Sequence, residues 1–243
     1  MKPLAISQIQ KAVLDQVDRL DLPAGSRILD APCGGGAALA LALKNMGMSV
    51  TGADVDRSAA AILGDDFVET DLDRPFPWRD ESFAMIVSTE GIEHIENHFA
   101  FLREMHRILE RNGLLILTTP NIAAVRSRIR FAGSGFFGRD PRPLNESRRH
   151  PLHHISPATV TQLRYELHVS GFRLIAARHT HIKPVSRIYA VFVPWIFLYT
   201  LLAFRKEKDP EQRKRNREIF RTLFSSSVLF GENLMLLARK IPS

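Results

Sequence analysis

One short stretch constrains the fold of this chain more than any other. Residues 27–39, RILDAPCGGGAAL, place an apolar run that ends in an acid before three consecutive glycines and a run of small residues. This order predicts a strand, a tight turn and the start of a helix. Glycine has no Cβ, so such a turn lets the backbone approach a nucleotide-like molecule closely. Asp30, at the end of the predicted strand, could accept a hydrogen bond from an ammonium or hydroxyl group.

Two more acids follow predicted strands farther along the chain. Asp54 ends the run MSVTGAD, at the position where doubly wound sheets hold a ribose diol. Asp71 and Leu72 follow the short strand pattern FVE, and an acid beside an apolar residue suits an adenine amine and its ring. Glycine-rich turns also occur in ordinary loops and in dehydrogenases. The acids after the turn narrow the interpretation to a site for a nucleoside-containing ligand.

Apolar runs alternate with amphipathic stretches along the chain. The run FAMIVS at 83–88 is continuously apolar, which is typical of a central parallel strand. The alternation predicts an α/β fold whose parallel sheet is covered on both faces and binds ligands at the carboxyl ends of its strands. The predicted strands are 27–30, 48–54, 67–69, 83–88, 114–118, 172–177 and 234–238, and the predicted helices are 7–20, 37–46, 58–63, 99–109 and 157–170, the last capped by Ser156.

With these motifs the chain resembles the class I S-adenosylmethionine-dependent methyltransferases of the type 11 group. The resemblance rests on ILDAPCGGG, TGAD, DLDRPFPWRDESFAMIVSTEGIEHIEN and LREMHRILERNGLLILTTPN, from about residue 27 to residue 172, and resumes at 233–240. Pro32 stands where that family usually has glycine, and proline removes one backbone N–H. The resemblance implies a doubly wound, mostly parallel, seven-stranded Rossmann-like sheet that ends in an antiparallel strand pair.

The resemblance also implies S-adenosylmethionine as cofactor. The residues that it assigns to the cofactor are Asp30, Ala31, Cys33, Gly34, Gly36, Asp54, Val55, Asp71, Leu72 and Ser88. Glu90 is an alternative to the Ser88 backbone near the amino group of the cofactor.

The acceptor and its base are less constrained by the sequence. A hydroxyl acceptor needs a base. The candidate bases are His94, His98, His150, His153 and His154, of which we single out His153 and His154 because they precede a helix on the acceptor side. We predict no metal site, because no carboxylate or cysteine neighbours the cluster at 150–154 and adjacent histidines cannot easily ligate one ion.

The composition indicates an anionic partner. The formal net charge is +7 and the pI is about 9.9, which favour a nucleic acid, a phosphorylated substrate or an acidic membrane. Nucleic acid is disfavoured because the aromatic residues cluster in apolar runs rather than between basic ones. The single cysteine, Cys33, excludes an internal disulfide and fits a reducing compartment, and residues 1–22 do not predict a signal peptide.

The last two strands are separated by an insertion at 183–230, so that the predicted methyltransferase domain comprises 1–182 and 231–243. Residues 188–204 carry no charge, at the lower limit of the length that spans a bilayer, and residues 205–221 hold eight basic and four acidic side chains. We favour a helical segment that lies in an anionic membrane interface or enters it as a re-entrant hairpin. The alternatives are a spanning helix, a hydrophobic lid or a homodimer interface.

A second unusual segment, 126–149, contains seven arginines and two acids. Its glycine and proline content predicts a loop, and we expect residues 126–155 to form a lid that contacts an anionic acceptor through arginine. A solvated loop is the alternative.

These patterns lead to three functional hypotheses. The first is a methyltransferase for a lipid-linked or amphipathic anionic acceptor, cytoplasmic and attached peripherally to the inner membrane. The second is a soluble methyltransferase for a small molecule, with the insertion as lid or dimer interface. The third is a cofactor-binding accessory protein without turnover.

Overall fold

The computed structural model describes residues 7–137, 142–147 and 152–241, and its centre is a seven-stranded sheet in the order β3-β2-β1-β4-β5-β7-β6. Strands β1 to β5 run parallel to one another, whereas β7 runs antiparallel to both β5 and β6. This sheet confirms the predicted fold class. The strands are β1 Arg27–Asp30, β2 Ser49–Asp54, β3 Phe67–Glu69, β4 Phe83–Thr89, β5 Leu109–Pro120, β6 Phe172–His179 and β7 Asn233–Lys240.

Helices cover both faces of the sheet. Phe101 and Met105 of α4 pack with Leu163 of α6 in one apolar cluster, whereas Val17 of α1 and Leu43 of α2 belong to a second cluster. Two clusters follow from a sheet whose central strands are apolar on both sides. The helices are α1 Gln8–Asp18, α2 Ala38–Asn45, α3 Ala60–Leu63, α4 His98–Ile108, α5 Val125–Ser134, α6 Val160–Val169, α7 Val193–Phe204, α8 Pro210–Leu223 and α9 Ser226–Phe230, with short 3₁₀ segments at Arg57–Ala59, Gly64–Asp66, Ile92–His94 and Pro184–Phe192.

Several predicted boundaries were wrong: β5 begins at Leu109 rather than at 114, and the N-cap of α6 is Thr159 rather than Ser156. Helix α6 begins at Val160 rather than at 157, because the Thr159 side chain accepts from the N–H of Gln162 and the Gln162 side chain accepts from the N–H of Thr159. Residues 125–134 form the helix α5 and not a loop. Glycines end this helix, since Gly135 adopts φ 74° at its C-cap. Arg139, Arg148, Arg149 and His150 lie outside the described residues.

The insertion between β6 and β7 is helical. Within the segment Pro184–Phe204 an 18-residue window has a mean hydropathy of 1.7, so the segment is long and apolar enough to cross a membrane by length and composition. Phe197 of α7 packs edge to face against Phe220 of α8 and against Phe224 at the C-cap of α8. The last turn of the insertion joins the main core, because Val228 of α9 is completely buried there.

Polar contacts fix the two ends of the insertion to the sheet. The ammonium of Lys183 lies 2.7 Å from the Glu232 carboxylate, and a bridge joins Ile182 to Gly231. At the end of β5, the Asn121 amide donates to the carbonyls of Val228 at 2.9 Å and of Gly231 at 3.0 Å. Asn121 therefore holds the chain that returns from the insertion.

Replacing Asn121 by alanine should lower the free energy of unfolding by about 1–3 kcal/mol, because buried carbonyls of α9 lose their donor. Urea denaturation measures this loss. Asn45→Ala, at the exposed end of α2, is the matched control and should change stability by less than about 0.5 kcal/mol. Equal stability of the two variants would contradict the anchoring role of Asn121.

Candidate functional site

A pocket of about 830 Å³ opens at the carboxyl ends of the parallel strands. The loops after β1, β2, β3 and β4 contribute its wall, and α1 contributes Gln10. The segment before α6 closes another side with Leu152, His153 and Ile155. This volume lies within the range of about 300–1,000 Å³ that is usual for small-molecule sites.

The Asp54 carboxylate connects two loops of the pocket wall by hydrogen bonds. Its Oδ2 accepts the backbone N–H of Gly34 at 2.8 Å, and its Oδ1 accepts that of Asp56 at 2.9 Å. Each carboxylate oxygen has a second lone pair, so Asp54 can still accept hydrogen bonds from a diol in the pocket.

The glycine turn leaves room beside this carboxylate. Gly34 adopts φ 65°, a conformation that side chains rarely adopt, and a Cβ there would meet no protein atom within 4 Å. The neighbouring Cys33 is 6% exposed, and burial raises the pKa of its thiol to about 12. Cys33 is therefore a neutral small residue of the turn, and not a thiolate nucleophile.

Six of the ten predicted cofactor residues lie at the pocket wall, and four do not. The six are Cys33, Gly34, Asp54, Val55, Asp71 and Leu72. The four away from the wall are Asp30, Ala31, Gly36 and Ser88.

Asp30 and Ser88 are enclosed by the sheet rather than presented to the pocket. Asp30 is 1% exposed, and neither of its carboxylate oxygens has a hydrogen-bond partner among the described residues. Burial, reinforced by the charge of Asp54, raises the pKa of Asp30 to about 8. Ser88 is fully buried, and its hydroxyl also has no partner in the described part of the chain. Their predicted contacts with the cofactor stay predictions.

Glu90 is a wall residue that the sequence suggested only as an alternative. Its backbone has φ 50°, and its N–H donates to the Thr118 hydroxyl at 3.0 Å. Its carboxylate accepts from the Thr118 hydroxyl and, at 2.7 Å, from the Asn233 amide. Burial, with the nearby Glu93 carboxylate, raises the pKa of Glu90 to about 8. No local sequence pattern indicates the contact with Asn233, which comes from β7.

Two of the candidate histidines line the pocket, and two others contact neighbouring side chains. His94 and His153 line the pocket, whereas the ring of His98 lies 3.1 Å from the Glu166 carboxylate. The His154 ring meets the His94 ring edge to face with centroids 4.8 Å apart. Partial burial, and the neighbouring His94, lower the pKa of His154. Its imidazole is therefore the neutral form near pH 7.

The predicted arginine lid does not line this pocket in its described part. Arg126 of α5 forms an ion pair with Glu232, and Arg128 donates to the Ala123 carbonyl at 2.7 Å. Of the lid expected at 126–155, the described part reaches the pocket only through Leu152, His153 and Ile155. Within the described residues of the insertion, which include all of 183–230, no residue lines the pocket.

The residues of this wall fit S-adenosylmethionine. The Asp54 carboxylate stands where a ribose diol can donate to it, Gly34 leaves space for close approach, and Asp71 with Leu72 offers an acceptor and an apolar surface for an adenine. Asp54 and Asp71 also place carboxylates at the wall of a site whose ligand carries a positive sulfonium.

Comparison with known proteins shows the family of this chain. A family model described as a methyltransferase domain matches residues 5–177. The chain is 33% identical to methyltransferase GfsG of Streptomyces halstedii over 110 residues, which cover 41% of this chain and 40% of that protein. It is 31% identical over 126 residues to cyclopropane mycolic acid synthase MmaA2 of Mycobacterium bovis, covering 48% and 44% of the two chains. The matches thus span about half or less of these curated relatives.

Solved structures share the fold. An S-adenosylmethionine-dependent methyltransferase from Archaeoglobus fulgidus superposes with a TM-score of 0.57 over 96% of this chain and 95% of that one, at 17% identity. The strand order, the pocket and the family match agree, and the chain therefore belongs to the methyltransferase-domain family of class I S-adenosylmethionine-dependent methyltransferases.

Proposed function

We propose that this protein transfers a methyl group from S-adenosylmethionine to a lipid-linked or amphipathic, anionic acceptor at a membrane surface. The observation that carries the proposal is an uncovered apolar helix face beside a basic helix, both in the insertion next to the edge of the sheet. The name of the relative MmaA2, a mycolic acid synthase, supports a lipid-like acceptor.

The apolar face belongs to the helical segment Pro184–Phe204. We call it the apolar stripe, and it comprises Ile188, Val191, Trp195, Leu198, Tyr199 and Leu202. These residues recur every three or four positions, so they share one side of the helix. Trp195 is 75% exposed, and Ile188, Val191 and Tyr199 are each 73% exposed. A contiguous apolar surface of this kind is typical of a site that contacts a membrane or a protein.

Positive charge follows this stripe along the chain. All eight basic side chains between Arg205 and Arg221 are exposed. Two of the acids in this stretch are paired, because Glu211 contacts Lys214 and Glu218 contacts Arg164. Each exposed arginine or lysine near an anionic lipid surface contributes about 1 kcal/mol of attraction. Trp195 and Tyr199 have the amphipathic rings that favour the headgroup region.

A membrane surface explains this arrangement better than a lid over the cofactor pocket. The stripe faces away from α8, whose Phe220 covers Phe197 and Phe204 on the other side of α7. A lid would need the insertion at the pocket wall, where its described residues do not lie.

The role of the protein in methyl transfer is to align the methyl donor with the acceptor. The cofactor supplies an activated methyl group on a sulfonium, and the protein holds donor and acceptor in line. Asp54 would orient the ribose, and Asp71 with Leu72 the adenine. Glu90 and His94, at the same wall, would face the reacting end. Because the pKa of Glu90 is raised to about 8, its side chain would accept a proton from an acceptor hydroxyl in the ionised form that prevails above that pH.

Replacing Asp54 by alanine should weaken the binding of S-adenosylhomocysteine, the stable product, by about 1–3 kcal/mol, because the ribose loses its acceptor. Isothermal titration calorimetry measures the change. Asp65→Ala removes an exposed carboxylate after α3 and should bind like the wild type.

Asp54 also holds backbone amides, so a thermal melt of each variant must accompany the titration. Asp71→Ala removes an exposed carboxylate of the pocket wall and leaves the buried Asp54 in place. This variant should also bind S-adenosylhomocysteine more weakly than the wild type. Wild-type affinity in both folded variants would show that the cofactor binds elsewhere.

Replacing Trp195 by aspartate should reduce binding to vesicles of phosphatidylcholine and phosphatidylglycerol by at least about tenfold, because burial of such a side chain contributes about 1.5–3 kcal/mol. Co-sedimentation in a salt series measures it, and wild-type binding should fall as salt rises. Tyr165→Asp, at an aromatic residue of α6 that is 63% exposed, is the control and should bind like the wild type.

Light scattering on the same samples distinguishes the soluble alternative. A wild-type dimer that Trp195→Asp converts to a monomer, together with no vesicle binding, would make the apolar stripe a dimer interface and contradict the membrane proposal.

A further inference from the structure

We propose that Glu93, His94 and His154 form a binding site for one divalent transition-metal ion, with Zn²⁺ as the reference ion, at the edge of the cofactor pocket. The sequence argument against a metal considered only the histidines at 150–154 and found no carboxylate among them. Folding supplies that carboxylate from the other side of the pocket. One possible ligand atom from each of the three residues lies within 4.8 Å of the other two.

The local fold brings these residues together through backbone contacts. After β4, residues Ile92–His94 form a 3₁₀ turn that places two consecutive side chains toward the segment before α6. The N–H of Ser156 donates to the Glu93 carbonyl at 3.0 Å. The ring of His94 contacts the His153 carbonyl at 2.9 Å. His154 is thereby held beside His94 although about sixty positions separate them in sequence.

The state of His94 suits a ligand. A carbonyl only accepts, so the His94 Nδ1 that faces His153 carries the proton. The lone pair therefore lies on Nε2. A backbone carbonyl that fixes the tautomer and orientation in this way is the usual partner of a metal-ligating histidine.

The Glu93 carboxylate also has a vacant coordination position. Glu93 is 0% exposed, and its Oε2 accepts from the Thr119 hydroxyl at 3.0 Å. Its Oε1 is buried without any hydrogen-bond partner among the described residues. A buried carboxylate oxygen without a donor is costly, and a cation would satisfy it.

The donor set defines the class of ion. Two imidazoles and one carboxylate are typical of zinc and of other first-row divalent ions, with one or more positions left open. Ligands around tetrahedral zinc lie about 3.3–3.6 Å apart. The three ligand atoms would therefore have to approach one another by up to about 1 Å, and His154 is the most exposed of the three residues.

The open coordination position of the ion would take the acceptor, an inference that rests on the proposed function. His94 lines the cofactor pocket, so an acceptor oxygen could complete the coordination. A metal ion lowers the pKa of a hydroxyl that binds to it. The acceptor O–H would then lose its proton to solvent, a new O–C bond would form to the methyl carbon, and the C–S bond would break with its electron pair left on sulfur. This selects a hydroxyl as the acceptor group.

Metal binding is tested on the full chain without acceptor or cofactor. Protein stripped with a chelator and dialysed is titrated with Zn²⁺ against a chromophoric chelator and, separately, with Co²⁺ while its visible absorption is followed. We expect about one ion per wild-type chain. His94→Ala and His154→Ala should each bind at least about tenfold more weakly, since loss of a supporting contact alone costs about 10–100-fold. His168→Ala, an exposed histidine of α6, is the control and should bind like the wild type.

Because His154 is exposed, we expect the His154→Ala variant to fold. It therefore tests the metal site even if the His94→Ala variant does not fold. Equal affinity of wild type and His154→Ala, or less than about a tenth of an ion per wild-type chain, would overturn the metal site. Titration of the metal-free protein with S-adenosylhomocysteine separates the two proposals. Cofactor binding without metal binding leaves the proposed function intact and rejects only the metal site, whereas absent cofactor binding contradicts the proposed function.

Discussion

The site depends on the two backbone hydrogen bonds that the Asp54 carboxylate accepts. One comes from Gly34 in the turn after β1 and the other from Asp56 in the turn after β2, at 2.8 and 2.9 Å. These bonds hold two loops of adjacent parallel strands in one arrangement, so the glycine turn and the acid that would take the ribose cannot move independently. The other wall elements, after β3 and β4, are fixed by the register of the same sheet.

The insertion is connected to this site through the start of β7. Glu232 pairs with Lys183 at one end of the insertion and with Arg126 of α5, and the next residue, Asn233, donates to Glu90 at the pocket wall. The helices that would contact a membrane are therefore joined to the reacting end of the pocket by a short polar chain of contacts.

Local patterns predicted the strands and the acids that follow them, because a strand end and a glycine turn are encoded by adjacent residues. Asp54, Asp71 and Leu72 reached the pocket wall as expected. Asp30 and Ser88 did not, since their depth depends on how closely neighbouring strands pack rather than on their own sequence. Helix α5 was missed because its glycines end the helix instead of preventing it. The cluster of Glu93 with His154 could not be predicted at all, since it arises from tertiary contacts between distant segments.

We propose that this protein methylates an acceptor in a membrane. This proposal is tested most directly by incubating the full chain with S-adenosylmethionine that carries a tritiated methyl group and with total bacterial membranes, then extracting with chloroform and methanol. The account predicts label in the organic phase that depends on the wild-type protein and is lost when Asp54 is replaced by alanine. Label confined to water-soluble products, with none in the organic phase, would contradict it.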